Sequence, residues 1–269
     1  MTLPLLYTRA DAVATITLNR PEARNALTAE MLCRFADAVA DIVADDTVRV
    51  VIVTASGDAA FCAGGDLGTT IPLLLGERAP ADAWEHRLLD DPAVLRSSTL
   101  RTPALVKPVI AAVNGHCHAA GAELLLGTDI RIAVERATFA WPEVRRGIIP
   151  FAGSMVRLPR QVAYSQAMAL LLTGEPIDAL EALRIGLVNA VVAASDLVPT
   201  ARRIAATLAA NAPLALAAVK RTVEAAAGTT PEQGYLLEDE SRRQVFASAD
   251  AKEGPRAFME KRQTRFTGR

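Results

Sequence analysis

The sequence predicts a layered α/β fold on three observations. Two strand-helix-strand stretches lie in the first half, and only helical patterns follow Leu197. The composition, 51% apolar and 22% charged over 269 residues, is that of a chain able to bury a sizeable core. Length alone allows one large domain or a core with a smaller appendage.

The first element is "AVATITLN" (12–19), whose β-branched alternation reads as a strand. It ends at the "NRPEARNAL" turn, and Thr28 followed by Glu30 marks a helix start. Met31, Phe35, Val39, Ile42 and Val43 then recur near helical spacing, and "VRVVIVTA" (49–56) is the continuous apolar run of a strand covered on both faces. A second unit repeats the pattern, with "PVIAAV" (108–113) as strand, a helix from about Ala120 to Leu126, and "DIRIAV" (129–134) as strand. Repeated crossovers of this kind require stacked layers. Residues 68–102 mix Pro, Gly and polar residues around one helical stretch (81–100) and are expected to be a mobile or inserted connection. Four helical patterns close the chain, 197–211, 213–228, 231–250 and 251–262, and their apolar faces must be buried on the core or on another subunit.

The formal net charge of −1 gives no general attraction to nucleic acid, so no nucleic-acid partner is expected. Ser241 to the end carries eight basic and three acidic residues, a local excess suited to a phosphate or to a solvated helix face. Cys33, Cys62 and Cys117 are scattered, odd in number and without CxxC spacing, which points away from a disulfide framework or a thiolate zinc site and towards a reduced, cytoplasmic setting. The first twenty residues lack a basic start and reach Arg9 and Asp11 before any long apolar run, unlike a signal peptide. No stretch approaches the ~20 apolar residues of a membrane span, so no membrane partner is expected.

"HCHAAGAE" (116–123) holds two of the three histidines and one cysteine. His116 and His118 share a face only on an extended strand, where Cys117 points the other way. The remaining histidine, His86, lies in the connection, so the three or four ligands of a zinc site are missing and no metal is expected. Cys117, among small apolar residues, is expected to pack rather than attack. What is left is backbone. Asn114-Gly115 ends a strand, and Ala119 to Ala122 start a helix whose first N–H groups have no intrahelical partner. Small side chains let a ligand oxygen approach them, with Glu123 in the first turn beside it. A second small-residue turn, "FCAGGDLG" (61–68), follows a strand, and neither turn is a GxGxxG dinucleotide loop or a P-loop. Donors from two separate turns are what a thioester enolate requires. A third stretch, "ATFAWPEVRRGIIPFAG" (137–153), places Glu143 directly after Pro142; alone, such a glutamate reads as a solvated side chain.

Taken in order, "FCAGGDL", "KPVIAAVNGxxxxAGAEL", "DIRIA", "ATFAWPEVRRGIIP", "LLLTGEPIDALEALRIGLVNAVV" and "EGPRAFMEKRQTRF" resemble the enoyl-CoA hydratase/isomerase (crotonase) superfamily over nearly the whole chain. The resemblance implies a spiral of ββα units over 1–196 carrying an oxyanion hole and catalytic glutamates. It implies a C-terminal helical region, 197–269, that builds homotrimers, often paired into hexamers. It also implies an acyl-CoA thioester substrate, with coenzyme A part of the substrate and no separate cofactor.

By the same resemblance the oxyanion N–H groups map onto Gly65 and Ala120. The CoA-contacting positions map onto Arg24, Ala63, Gly64, Asp66 and Leu67, with Phe258 and Lys261 near the end, and Trp141 and Phe151 are expected at the acyl pocket. Hydratases of the family carry one glutamate after the oxyanion turn and another after a proline twenty positions later; here these are Glu123 and Glu143. Isomerases commonly keep the later one alone, so retention of both favours syn addition of water to a trans-2-enoyl-CoA, giving a 3-hydroxyacyl-CoA. The alternatives are another crotonase reaction (double-bond isomerase, specialised dehydratase or thioester hydrolase) and a non-catalytic acyl-CoA-binding subunit. The chain departs from many relatives in Ala119-Ala120 for Gly-Gly, in His118 for an apolar residue, and in Phe151, Ser154 and Met155 for small residues, which reshapes the expected acyl pocket.

Overall fold

In the computed structural model, which describes residues 3–269, the amino end forms an antiparallel pair, β1 (Leu5–Ala10) and β2 (Val13–Leu18). Met1 and Thr2, the start of the stretch read as unlike a signal peptide, lie outside the described residues. Only Leu5 of β1 is buried, so this strand carries little of the period-two signal that marks β2. Helix α1 (Ala29–Ala44) begins where expected, with the Thr28 side chain accepting the Met31 N–H. Strands β3 (Val50–Ala55) and β4 (Ala60–Cys62) follow.

The connection expected to be mobile or inserted instead folds as three helices, α2 (Thr70–Leu74), α3 (Ala83–Asp90) and α4 (Pro92–Ser98). Leu88 and Val94 are buried in the main core, and Arg78 pairs with Glu85, whose carboxyl it holds down at about 2. The single helix expected there is broken at Asp91, which caps the Ala93 N–H, with Pro92 at the first helical position.

Two further turns of chain repeat one plan. They comprise β5 (Val109–Val113), β6 (His116–His118) and α5 (Ala120–Leu125), then β7 (Ile130–Val134), β8 (Thr138–Ala140) and a 3-10 turn at Pro142–Arg146. After α6 (Ser154–Gln161) and α7 (Tyr164–Thr173) come β9 (Ile177–Asp178), α8 (Ala179–Arg184) and β10 (Ala190–Val192). The order β1-β2-β3-β5-β7-β10 makes a six-stranded sheet and β4-β6-β8-β9 a four-stranded one. Within the pairs β3/β4, β5/β6 and β7/β8 the first strand enters the large sheet and the second the small one, always parallel to its predecessor. The chain therefore advances as a ββα spiral, and the carboxyl ends of β4, β6 and β8 lie side by side.

Four helices close the chain: α9 (Leu197–Ala209), α10 (Pro213–Ala226), α11 (Pro231–Phe246) and α12 (Ala249–Met259). Helix α9 buries Leu197, Ala201 and Ala205 against the large sheet. The last three bury little beyond Ala218, Asp250 and Ala257, and leave Val219, Val223, Tyr235, Leu236, Phe246 and Phe258 exposed. Among the described residues no helix is long and apolar enough to cross a membrane.

One contact sets how closely α5 lies on the small sheet. A Cβ added at Gly121 would come within 2.6 Å of both Cys62 Cβ and the Cys62 carbonyl oxygen. Gly121→Ala must push α5 off β4, and we expect it to cost about 1–3 kcal/mol, read as a lowered midpoint of thermal unfolding. An unchanged midpoint would mean that this close approach constrains nothing.

Candidate active site

The three turns leaving β4, β6 and β8 meet around a cavity of ≈ 90 Å³. Its wall is mainly apolar, with Leu27, Leu32, Leu67, Ile71, Leu74 and Leu95 from the amino-terminal half and from the connection. Thr70 and Thr99 also line it, but their hydroxyls donate to the carbonyls of Leu27 (2.9 Å) and Leu95 (2.6 Å). The polar side chains left to act in the cavity are Glu123, Glu143 and Arg146.

Gly65 and Ala120 line the cavity as well. Leu27 donates its N–H to the Gly64 carbonyl at 2.8 Å and accepts the Asp66 N–H at 3.0 Å, which makes Gly65 the centre of a parallel bridge to Leu27. In such a bridge the flanking groups face the partner and the central residue's own N–H points away from it. The turn is held from outside: the Asp66 carboxylate accepts from Gly68, Thr69 and Arg20, and the Arg24 carbonyl accepts the Ala63 N–H. Ala120 is the first residue of α5, where an N–H has no intrahelical acceptor. Among the described residues, neither the Gly65 nor the Ala120 N–H has a hydrogen-bond partner. The two turns touch directly, since a Cβ at Gly64 (φ +109°) would stand 2.7 Å from the Ala119 Cβ.

Both glutamates are buried. Glu123, in the first turn of α5, accepts the Ala152 N–H on Oε1 at 2.7 Å. Burial, and then the charge of Glu143, push its carboxyl up to about 7, against the opposing pull of the Ala152 N–H. Glu143, in the 3-10 turn after β8, is also raised by burial, with Arg146 drawing it back. Its Oε2 is buried without a partner among the described residues. Two such carboxyls titrate as one coupled pair, and near neutrality the pair retains a proton. The Ala152 N–H favours charge on Glu123 against burial and the charge of Glu143, whereas one oxygen of Glu143 has no donor among the described residues. The arrangement can hold one water between a base and an acid, beside two N–H groups free to receive a developing negative oxygen.

Some expected site residues lie elsewhere. Trp141 was expected at the acyl pocket, but it is fully buried and absent from the cavity wall, because its indole N–H donates to the buried Ser154 hydroxyl at 2.7 Å. Phe151 does line the cavity and is 48% exposed. Ala63 and Leu67 line it too, whereas Arg24, Gly64 and Asp66 brace the turn behind it. Phe258 and Lys261 are exposed at the end of α12 and just beyond, outside the cavity of this chain. His116 and His118 lie on the short strand β6, and both bond the Thr138 hydroxyl, at 2.7 and 2.8 Å. That hydroxyl has one proton, so one ring must accept while the other donates. Burial, the neighbouring His116, Arg146 and Arg24 push His118 down to about 4. Cys117 is fully buried, and burial raises its thiol well above its ordinary range.

Sequence reasoning missed the Ala152 donor and the wall supplied by α2 and α4. A backbone N–H leaves no mark in the residue letters, and these two helices are too short for a clear apolar period.

The family model described as enoyl-CoA hydratase/isomerase matches residues 8–269. The chain is 38% identical over 264 residues to enoyl-CoA hydratase EchA19 of Mycobacterium tuberculosis, covering 98% of this chain and 96% of that protein. It is 37% identical over 262 residues to crotonyl-CoA hydratase of Syntrophomonas wolfei, covering 97% of each. The crystal structure of enoyl-CoA hydratase from Bacillus anthracis superposes with a TM-score of 0.88 at 33% identity, over 99% of this chain and 100% of that one.

The coupling of the two carboxyls has a direct readout. Glu143→Gln removes the like charge that raises Glu123, and loss of a like charge favours the ionised form. The midpoint at which the Glu123 carboxyl protonates should therefore fall from about 7. The carboxylic C=O band in pH-difference infrared spectra measures it; an unmoved midpoint would show that the two groups do not interact.

Proposed function

This chain belongs to the enoyl-CoA hydratase/isomerase family, and from that membership we propose that it is an enoyl-CoA hydratase, a hydro-lyase that adds water syn to a trans-2-enoyl-CoA to give a 3-hydroxyacyl-CoA. The observation that carries this reading is the pair of buried carboxyls, Glu123 and Glu143, facing one apolar cavity with two backbone N–H groups that have no partner among the described residues.

The thioester carbonyl lies against the Gly65 and Ala120 N–H groups. Glu123 takes a proton from the water between the carboxyls, and the water oxygen bonds to the β-carbon. The π electrons move towards the thioester oxygen, where the two N–H donors stabilise the charge; one such donor is typically worth roughly 3–4 kcal/mol. Glu143 then delivers a proton to the α-carbon, and the proton held by Glu123 returns the pair to its starting state. Both additions come from one cavity wall, so they reach one face of the double bond. The step needs no metal and no redox cofactor.

The apolar lining suits a hydrocarbon acyl chain, with Phe151 at its edge. The CoA part runs over the turn braced by Arg24 and Asp66. The protein works in the cytoplasm as a homotrimer or a pair of trimers through the region 197–269, without nucleic-acid or membrane partners. The exposed apolar side chains of α10 to α12 support the assembly, and three free, buried cysteines support a reduced setting. Phe258 at the end of α12 and Lys261 just beyond it contact CoA.

The purified protein should deplete the conjugated enoyl absorbance of crotonyl-CoA and yield a product heavier by one water. Glu123→Gln and Glu143→Gln should each lower kcat by about 10²- to 10⁴-fold. Wild-type turnover in either variant would refute the roles given. Free CoA as product would indicate a hydrolase, a product of unchanged mass an isomerase, and tight binding without turnover a non-catalytic subunit.

A further inference from the structure

Phe151 alone among the described residues lines two spaces, the cavity of ≈ 90 Å³ that holds the glutamates and a groove of ≈ 1050 Å³ beyond it. The boundary is sharp on either side of the ring: Ala152 and Thr99 line the cavity, whereas Pro150, Gly153 and Leu100 line the groove. Of the large apolar side chains on the cavity wall, only Leu67 and Phe151 are exposed. Leu67 stands on the turn over which CoA is proposed to run. Leu27 and Leu32 belong to the core, and Leu74 and Leu95 pack against it, so these parts of the wall are backed by close-packed side chains. An acyl chain entering past Leu67 therefore meets one large apolar side chain with open space behind it, Phe151.

The ring is placed through its backbone. The Ile148 N–H donates to the Glu143 carbonyl at 3.2 Å, and the Ala152 N–H to the Glu123 carboxylate at 2.7 Å. The loop 148–152 is thus tied at both ends to the residues proposed as acid and base, and Pro150 stiffens it. Phe151 is thereby held at a set position relative to the reacting carbons.

We propose that Phe151 is the specificity-determining residue for acyl length: its ring closes the cavity around short, crotonyl-sized acyl groups and keeps longer hydrocarbon tails out of the groove. The inference rests on the reading of the cavity as an enoyl-CoA site. Each further methylene must displace a packed side chain or push the ring aside, and either costs binding. Removing the ring joins the cavity to the groove, where Leu100, Met155 and Val156 offer apolar surface on which a tail can lie.

The test compares the full-length wild type with Phe151→Ala and Phe151→Trp, measuring kcat/KM for crotonyl-CoA and for trans-2-decenoyl-CoA. The wild type should prefer crotonyl-CoA. Phe151→Ala should raise the decenoyl-to-crotonyl ratio by about 10- to 100-fold, and Phe151→Trp, which keeps a bulky ring, should not raise it. A wild type that turns over the decenoyl ester as well as crotonyl-CoA overturns the proposal. So does an unmoved ratio in folded Phe151→Ala, the result expected if a second copy of the chain fills the groove. If the wild type hydrates no enoyl-CoA, the functional reading fails instead, and binding still decides the role of Phe151. Calorimetric affinity for decanoyl-CoA relative to butyryl-CoA should then rise in Phe151→Ala by a similar factor, and an unchanged relative affinity overturns the proposal.

Discussion

The site depends on how closely two pieces of backbone approach one another. Gly121 brings α5 onto β4 at a distance that leaves no room for a single methyl beside Cys62, and Gly64 meets Ala119 in the same way one step further along. These two contacts fix the separation of the turns that carry Gly65 and Ala120. Ala119 bears a cost for it: its φ of 51° lies where a side chain is disfavoured. The parallel pairing of β4 with β6, through Ala60 opposite His116 and Cys62 opposite Cys117, keeps the turns in step, and β8 adds the turn that carries Glu143. Backbone approach thus sets the spacing of the proposed oxyanion donors, and the Asp66 carboxylate, paired with Arg20, braces the Gly65 turn from outside.

Around this frame the cavity holds an electrostatic tension. Burial raises both carboxyls, and the charge of Glu143 further disfavours ionisation of Glu123. The protein divides the burden unevenly. Glu123 is given the Ala152 N–H just before α6, while one oxygen of Glu143 is left without a partner among the described residues. Such unevenness separates an acid from a base of the same residue type, which addition of water requires.

Much of this was legible in the sequence. Helix α1 and strands β2, β3, β5 and β7 fall where the apolar periods placed them, because each has a buried face long enough to show one. The two small-residue turns stood out because backbone approach demands glycine and alanine. Less was legible where burial is a property of the assembled fold. Strand β1 exposes nearly all of its residues, and β4, β6 and β8 have three residues each, too few to show alternation. The connection looked mobile because its polar letters, Arg78 and Glu85 among them, spend themselves on one another. Trp141 looked like a pocket residue because its partner, Ser154, lies thirteen positions away and only the fold joins them.

The most direct measurement of the central claim is a crystal structure with acetoacetyl-CoA, whose thioester enolate resembles the charge that hydration develops. Its thioester oxygen is expected within about 2.7–3.1 Å of both the Gly65 and the Ala120 nitrogen atoms, with the acyl carbons beside Glu123 and Glu143. A thioester oxygen bound by a side chain, or lying beyond about 3.5 Å from either nitrogen, would contradict it.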